Sequence, residues 1–403
     1  MRFWMGMGIG LLGVVGVQMA VIPPAVADAT PTIVIAGVGD HTIPGHLHMP
    51  WPSGIQAAET VPRLGWIGGQ WHGPQAARAI GSLATLMTAW LVVEAHPLGL
   101  AASGPKLPMT AADQALYYSD RARLESVMPV KAGARLSERK LLEGLLILSA
   151  SNVATLLGRW VAGTSKALAR QMNQEAASLG LTHTHYHGPV GLSPSTVSTV
   201  ADQVRLAEIV MQEPVLAKMA GMARMALPGG SMAYNYNDQL GRTGIFGVAV
   251  GSSTDDGASF IWAAHATLGG QIHTIYGGVI GVTATGAQLQ RAFNDGRTLI
   301  LAATKEVQWH DLWAAGQRVG QWWSQPQSSV PLAVVHSVRI LGWPTMPYHV
   351  RFIANPKALR NQPLPKGTAI GVLTVTYGRQ VIRDPVVTES LMAKPPMFRN
   401  FSR

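Results

Sequence analysis

The chain has 403 residues, 47% of them hydrophobic and 13% charged, with 31 Lys+Arg against 21 Asp+Glu and a formal net charge of +10. Such a length and apolar content supply a sizeable core, point to one large domain with a smaller one, and exclude a disordered chain. The absence of cysteine excludes disulfides, thiolate metal sites and a cysteine nucleophile. The basic balance favours anionic partners, but no concentrated Lys/Arg run marks a nucleic-acid surface.

Arg2 is the only charge before Asp28, and an apolar stretch runs from Gly10 to Val21 until Pro23-Pro24 interrupts it; Ala25-Val26-Ala27 follows. A basic start, an apolar run and a small-x-small site predict a secretory signal peptide over 1–27 and an exported protein. The run is also long enough to serve as an uncleaved anchor. Residues 28–75 are rich in Gly, Pro and Trp, with short strand-like pieces such as Thr32-Ile33-Val34-Ile35.

Residues 78–95 carry Ile80, Leu83, Leu86, Met87, Trp90 and Leu91 at helical spacing. A helix start follows at Thr110-Ala111-Ala112-Asp113. Residues 137–162 predict one helix capped by Ser137, and 165–180 another stopped by Gly180. A further helix is predicted over 197–213. Apolar runs at 245–250 and 258–265 predict two strands joined by a turn through Asp255-Asp256-Gly257, and 271–280 alternates as a third. A helix at about 286–303 closes this region. Beyond it, 330–340, 349–354, 368–377 and 380–387 are short strand-like runs of a small all-β domain. The expected division is 28–303 for the first domain and 304–403 for a C-terminal β-sandwich. The fold class is α/β, an antiparallel sheet flanked by helices with a helical insert.

Three segments carry the chemistry. The first is Ser82 in Ile80-Gly81-Ser82-Leu83-Ala84-Thr85, followed by Leu86-Met87-Thr88-Ala89. The second is Ser149-Ala150-Ser151-Asn152 and the third Ala249-Val250-Gly251-Ser252. Together they resemble the nucleophile helix and the two other motifs of the D-alanyl-D-alanine carboxypeptidases, the low-molecular-mass penicillin-binding proteins. Ala95-His96-Pro97-Leu98, Gly188-Pro189-Val190-Gly191-Leu192 and Gly367-Thr368-Ala369-Ile370-Gly371 extend the resemblance along the mature chain.

The resemblance implies a serine β-lactamase-like core acting on peptidoglycan stem peptides, and it also exposes departures. That family writes Ser-x-x-Lys, Ser-x-Asn and Lys-Thr-Gly. Here Thr85 stands at the first lysine position, Ser151 at the asparagine position with Asn152 one residue late, Ala249 at the second lysine and Val250 at the threonine. The resemblance implies Ser82 as nucleophile position with Thr85, Ser149 and Ser151 beside it, and Asn152, Ala249, Val250, Gly251 and Ser252 lining the substrate. Residues i and i+3 share a helix face, so a lysine there would sit beside the serine; a serine hydroxyl is weakly nucleophilic without such a base, and threonine supplies none.

Arg242-Thr243-Gly244 imitates the third motif but precedes the strand. His183, His185 and His187 alternate, which on a strand would place them on one face, yet no carboxylate lies nearby in sequence; they are expected to line the groove rather than bind a metal, and no cofactor is expected. Trp309, Trp313, Trp322 and Trp323 are read as packing at the junction between domains. The expected role is an exported, catalytically impaired protein that docks a peptidoglycan stem peptide or a cell-wall enzyme, with an anionic wall polymer or membrane surface as further partner. The alternative is an active serine D-Ala-D-Ala carboxypeptidase using Ser82 with a non-standard base.

Overall fold

The computed structural model describes residues 32–253, 257–283, 287–325, 328–360 and 363–391. The expected signal segment 1–27 and the turn residues Asp255-Asp256 lie outside them. Apolar runs at 245–268 and 271–282 are long enough to be buried on both faces. They form the middle of a five-stranded antiparallel sheet, in the order Ile245–Ser253, Gly257–Leu268, Gln271–Val282, Gln56–Val61, Gly65–Trp66. Alternation divides these strands between two cores. Ile261, Ala263, Tyr276 and Ile280 face the helical side, packed with Val200, Val204 and the helices Thr85–Ala95 and Glu138–Leu148. Phe260, Trp262, Ile275 and Val279 face the other way, onto Phe293, Leu299 and Ala303 of the helix Gln288–Glu306.

The helical side is assembled by capped elements. Thr110 closes a capping box with Asp113 at the start of Ala111–Ala122, its hydroxyl accepting from the Asp113 amide at 3.2 Å while Asp113 accepts from the Thr110 amide at 2.8 Å. Asp113 also receives the guanidinium of Arg159. The Thr164 and Thr199 hydroxyls cap Ser165–Ser178 and Val200–Val210 by accepting from the Ala167 and Asp202 amides.

The single helix expected over 137–162 is two. Glu138–Leu148 ends at Ser149, which adopts a left-handed conformation (φ 51°), and Ser151–Ala162 begins after Ala150 (ψ 112°). The helix expected over 197–213 likewise ends at Val210, and a separate short helix, Pro214–Ala220, follows with proline at its first position.

A second sheet of seven antiparallel strands runs in the order Thr32–Ile35, Arg318–Gln325, Ser328–Val334, Gln380–Thr388, Ala369–Tyr377, Pro347–Ala354, Gly39–Thr42. Residues 32–42, read in sequence as part of the first domain, thus supply both edges of the C-terminal sheet. Three residues separate Ile35 from Gly39, a reach of about 14 Å over four extended steps. Seven flat strands would hold their edges about 29 Å apart. The sheet therefore curls until its edges approach, as a nearly closed barrel does. A two-stranded sheet, Gln308–Trp313 with Val338–Gly342, shares its core. The tryptophans at 309, 313, 322 and 323 lie on strands. Trp322 is fully buried, and Trp309 donates its indole N–H to the Gly269 carbonyl at 2.9 Å, against the central hairpin.

Candidate active site

Ser82 sits in a single 3-10 turn, Gly81–Ala84, that leads into the helix Thr85–Ala95. Three stretches of backbone converge on this turn because glycine lets them. Gly81 has φ +52°, and a Cβ there would lie 1.9 Å from the Ser252 carbonyl oxygen. A Cβ on Gly251 would meet the Ile80 oxygen at 2.7 Å, and one on Gly191 (φ +79°) would meet the Gly81 oxygen at 1.9 Å. The Ser82 turn, the end of strand Ile245–Ser253 and the loop at 189–191 are therefore in direct backbone contact. Thr88, fully buried, holds that loop by donating to the Pro189 carbonyl at 2.9 Å.

Within this cage Ser82 is half-buried and donates to the Val250 carbonyl at 3.4 Å. Thr85, 2% exposed, turns its hydroxyl back onto its own turn and donates to the Ser82 carbonyl at 2.7 Å. Neither contact removes a proton from Ser82. Ala249 faces the helical core and Val250 the opposite one, both buried, so neither offers a polar group. Gly251 is buried and Ser252 exposed.

Ser149 occupies the bend between the two insert helices, and the Ser151 amide donates to the Ser126 carbonyl at 2.8 Å. Among the described residues, no side-chain hydrogen bond joins Ser82 to Ser149, Ser151, Arg242 or the histidines at 183–187. His183, His185 and His187 are exposed. Asn152, read from sequence as a substrate contact, is committed elsewhere: it is 2% exposed, its carbonyl accepts from the Met128 amide at 3.0 Å and its amide donates to the Met128 carbonyl at 2.9 Å. Each end of the amide is tied to the backbone, and burial closes its remaining donor and lone pair to a ligand.

Arg242-Thr243-Gly244 forms a turn before the strand, with Thr243 and Gly244 both at positive φ. Six residues of strand separate it from Val250, about 20 Å, so the register through Ala249-Val250-Gly251 is the one that reaches Ser82. Sequence reasoning missed Tyr236, whose hydroxyl accepts from the Ser126 hydroxyl at 3.1 Å, the same residue whose carbonyl accepts from the Ser151 amide. Its signal was an exposed tyrosine in Tyr234-Asn235-Tyr236-Asn237, and its partner lies 110 residues away.

The sequence profile of the D-alanyl-D-alanine carboxypeptidase family matches residues 72–266. D-alanyl-D-alanine carboxypeptidase DacB2 of Mycobacterium tuberculosis is 32% identical over 142 residues, 34% of this chain and 48% of that protein. The D-alanyl-D-alanine endopeptidase of Escherichia coli is 28% identical over 191 residues, 44% of this chain and 58% of that one. The chain thus spans about half the length of the curated relatives it matches. Penicillin binding protein 5 of Haemophilus influenzae superposes with a TM-score of 0.60 at 16% identity, over 87% of this chain and all of that one, which establishes a shared fold. Residues 72–266 thus carry the sequence profile of the D-alanyl-D-alanine carboxypeptidase family, on a fold shared with penicillin binding protein 5.

Proposed function

We propose that this protein is an exported, catalytically impaired member of its family, which holds a peptidoglycan stem peptide or a cell-wall enzyme instead of trimming the peptide. The observation that carries this reading is the surrounding of Ser82. Its hydroxyl is bonded to the Val250 carbonyl, Thr85 is bonded to the Ser82 carbonyl, and Ala249 brings no charge to the strand beside it. Removing a base that works as a unit with its nucleophile lowers the rate by about 10⁴–10⁶. The backbone cage around Gly81, Gly191 and Gly251 supports this reading, because the framework around Ser82 is kept without the groups that activate the serine.

The test is labelling of purified protein with a fluorescent penicillin, with Ser82→Ala as control. The expected result is no covalent band from the folded wild type, and a Ser82-dependent band in the triple variant Thr85→Lys, Ala249→Lys, Val250→Thr, with an acylation rate at least about 10⁴ above the parent. A wild-type band that disappears in Ser82→Ala would overturn the impaired reading and favour a serine carboxypeptidase. In that second reading the Tyr236 hydroxyl, bonded to Ser126, is the acid–base group to remove first, as Tyr236→Phe.

A further inference from the structure

Away from Ser82, a polar cavity of about 140 Å³ opens where the two sheets meet. Its walls include Arg63 and Trp66 of the turn and strand that follow Gln56–Val61, Arg205 and Glu208 of the helix Val200–Val210, and Arg379 at the tip of the hairpin joining Ala369–Tyr377 to Gln380–Thr388. The two loops are locked together. The Arg379 amide donates to the Arg63 carbonyl at 2.7 Å, and a Cβ on Gly378 would lie 2.4 Å from that same oxygen. Three arginines from three separate elements therefore line one small space, with Glu208 as the single carboxylate residue among them. None of the three is in an ion pair among the described residues; Arg205 donates to the Gly180 carbonyl at 3.1 Å. Like charges gathered this way repel unless an anion joins them.

The backbone adds a second, independent observation. Arg63 adopts φ 71°, the left-handed region where a side chain is strained and glycine is not. An arginine held at a strained position beside two others is the pattern of a site kept for its side chain rather than for its turn. Arginine forks match anionic oxygens in pairs. Arginines contributed by three separate elements suit a tetrahedral oxyanion, whose oxygens point outward on all sides, better than a planar carboxylate. The volume corresponds to about four or five water molecules, enough for one phosphoryl group with its hydration and too little for a sugar chain.

We propose that this cavity binds a phosphoryl oxyanion, as the free ion or as the phosphodiester of an anionic lipid, and in doing so clamps the C-terminal hairpin to the central sheet. The test is calorimetric titration of the full chain with inorganic phosphate at fixed ionic strength, comparing wild type with Arg63→Gly and Arg379→Gln. The expected result is saturable binding at one site, weakened about tenfold or more in each variant. Arg63→Gly separates binding from folding, because glycine suits the left-handed turn and its unfolding temperature without phosphate should not fall. Absence of saturable binding, equal binding by the variants, or an equal response to acetate would overturn the proposal. Sedimentation with phosphatidylglycerol against phosphatidylcholine vesicles then distinguishes the sources. Capture by the anionic vesicles that Arg379→Gln abolishes assigns a lipid phosphodiester, whereas phosphate binding without capture assigns the free ion.

Discussion

Glu59 lies 1% exposed on Gln56–Val61, directly across from Gly277, and behind Gly277 comes Trp262. Gly277 is required there because the Trp262 ring lies where a Cβ would be, at 2.3 Å. The indole reaches Glu59 Oε1 at 3.4 Å, and Oε2 has no hydrogen-bond partner among the described residues. Burial pushes the Glu59 carboxyl up to about 8, the Trp262 hydrogen bond opposing this only in part. In the unfolded chain it releases its proton near 4.5, and in the folded chain only near 8. The stabilising contribution of the protonated folded form is therefore complete below about 4.5 and is lost as pH rises through about 8. Wild-type stability, measured by urea unfolding, should fall between pH 5 and pH 8.5 by a few kcal/mol (on the order of 1.4 kcal/mol per pH unit at the steepest). Glu59→Gln should flatten that dependence and be the more stable protein at pH 8.5; an unchanged pH profile in the variant would refute the assignment.

At the scale of elements, the glycines of the active-site cage are structural requirements of different severity. Gly81→Ala adds both left-handed strain and a clash with the Ser252 carbonyl, so it should lower stability by about 2–5 kcal/mol. Gly133 has similar positive φ, but a methyl group there would meet nothing within 4 Å, so Gly133→Ala should cost only about 1–2 kcal/mol, the strain alone. Denaturant midpoints of the two variants decide whether the backbone contact carries the difference. The bend at Ser149 belongs to the same scale. A continuous helix through 137–162 would leave the Ser149 side chain among its neighbours on the helix surface, whereas its left-handed conformation restarts the chain at Ala150 and hands the Ser151 amide to Ser126.

Across the whole molecule, the helix Gln288–Glu306 and the Trp309 strand tie the central sheet to the C-terminal one. Gly269 has no room for a side chain because the Trp309 ring lies 2.7 Å from where its Cβ would sit, and Arg339 stacks over that ring at 4.5 Å from its centre. Trp309→Ala removes the hydrogen bond, the stacking and half-buried aromatic area together. It should lower global stability by about 2–3 kcal/mol and speed amide exchange in Gln308–Trp313 more than in Gln271–Val282. Equal protection in the two strands would mean that the ring does not couple them.

Much of this molecule was written locally. Apolar periodicity, Thr110, Ser137 and Thr199 as caps, and the long apolar runs at 245–282 determined the helices, the central strands and the α/β class, because those signals act within a few residues. The motif resemblance at Ser82, Thr85 and Ala249-Val250-Gly251 could be read for the same reason, being short and ungapped. What the sequence did not reveal depends on partners far along the chain. Asn152 looked like a ligand contact until the Met128 backbone, 24 residues earlier, took both ends of its amide. Residues 32–42 looked like the start of the first domain until they closed the edges of a sheet made from residues beyond 317. Tyr236 reached Ser126, 110 residues away, and Arg63, Arg205 and Arg379 became one cavity only when a helix and two loops met. Local propensity depends on neighbours in sequence, whereas a hydrogen bond or a shared charge depends on neighbours in space, and those are fixed only by the packed fold.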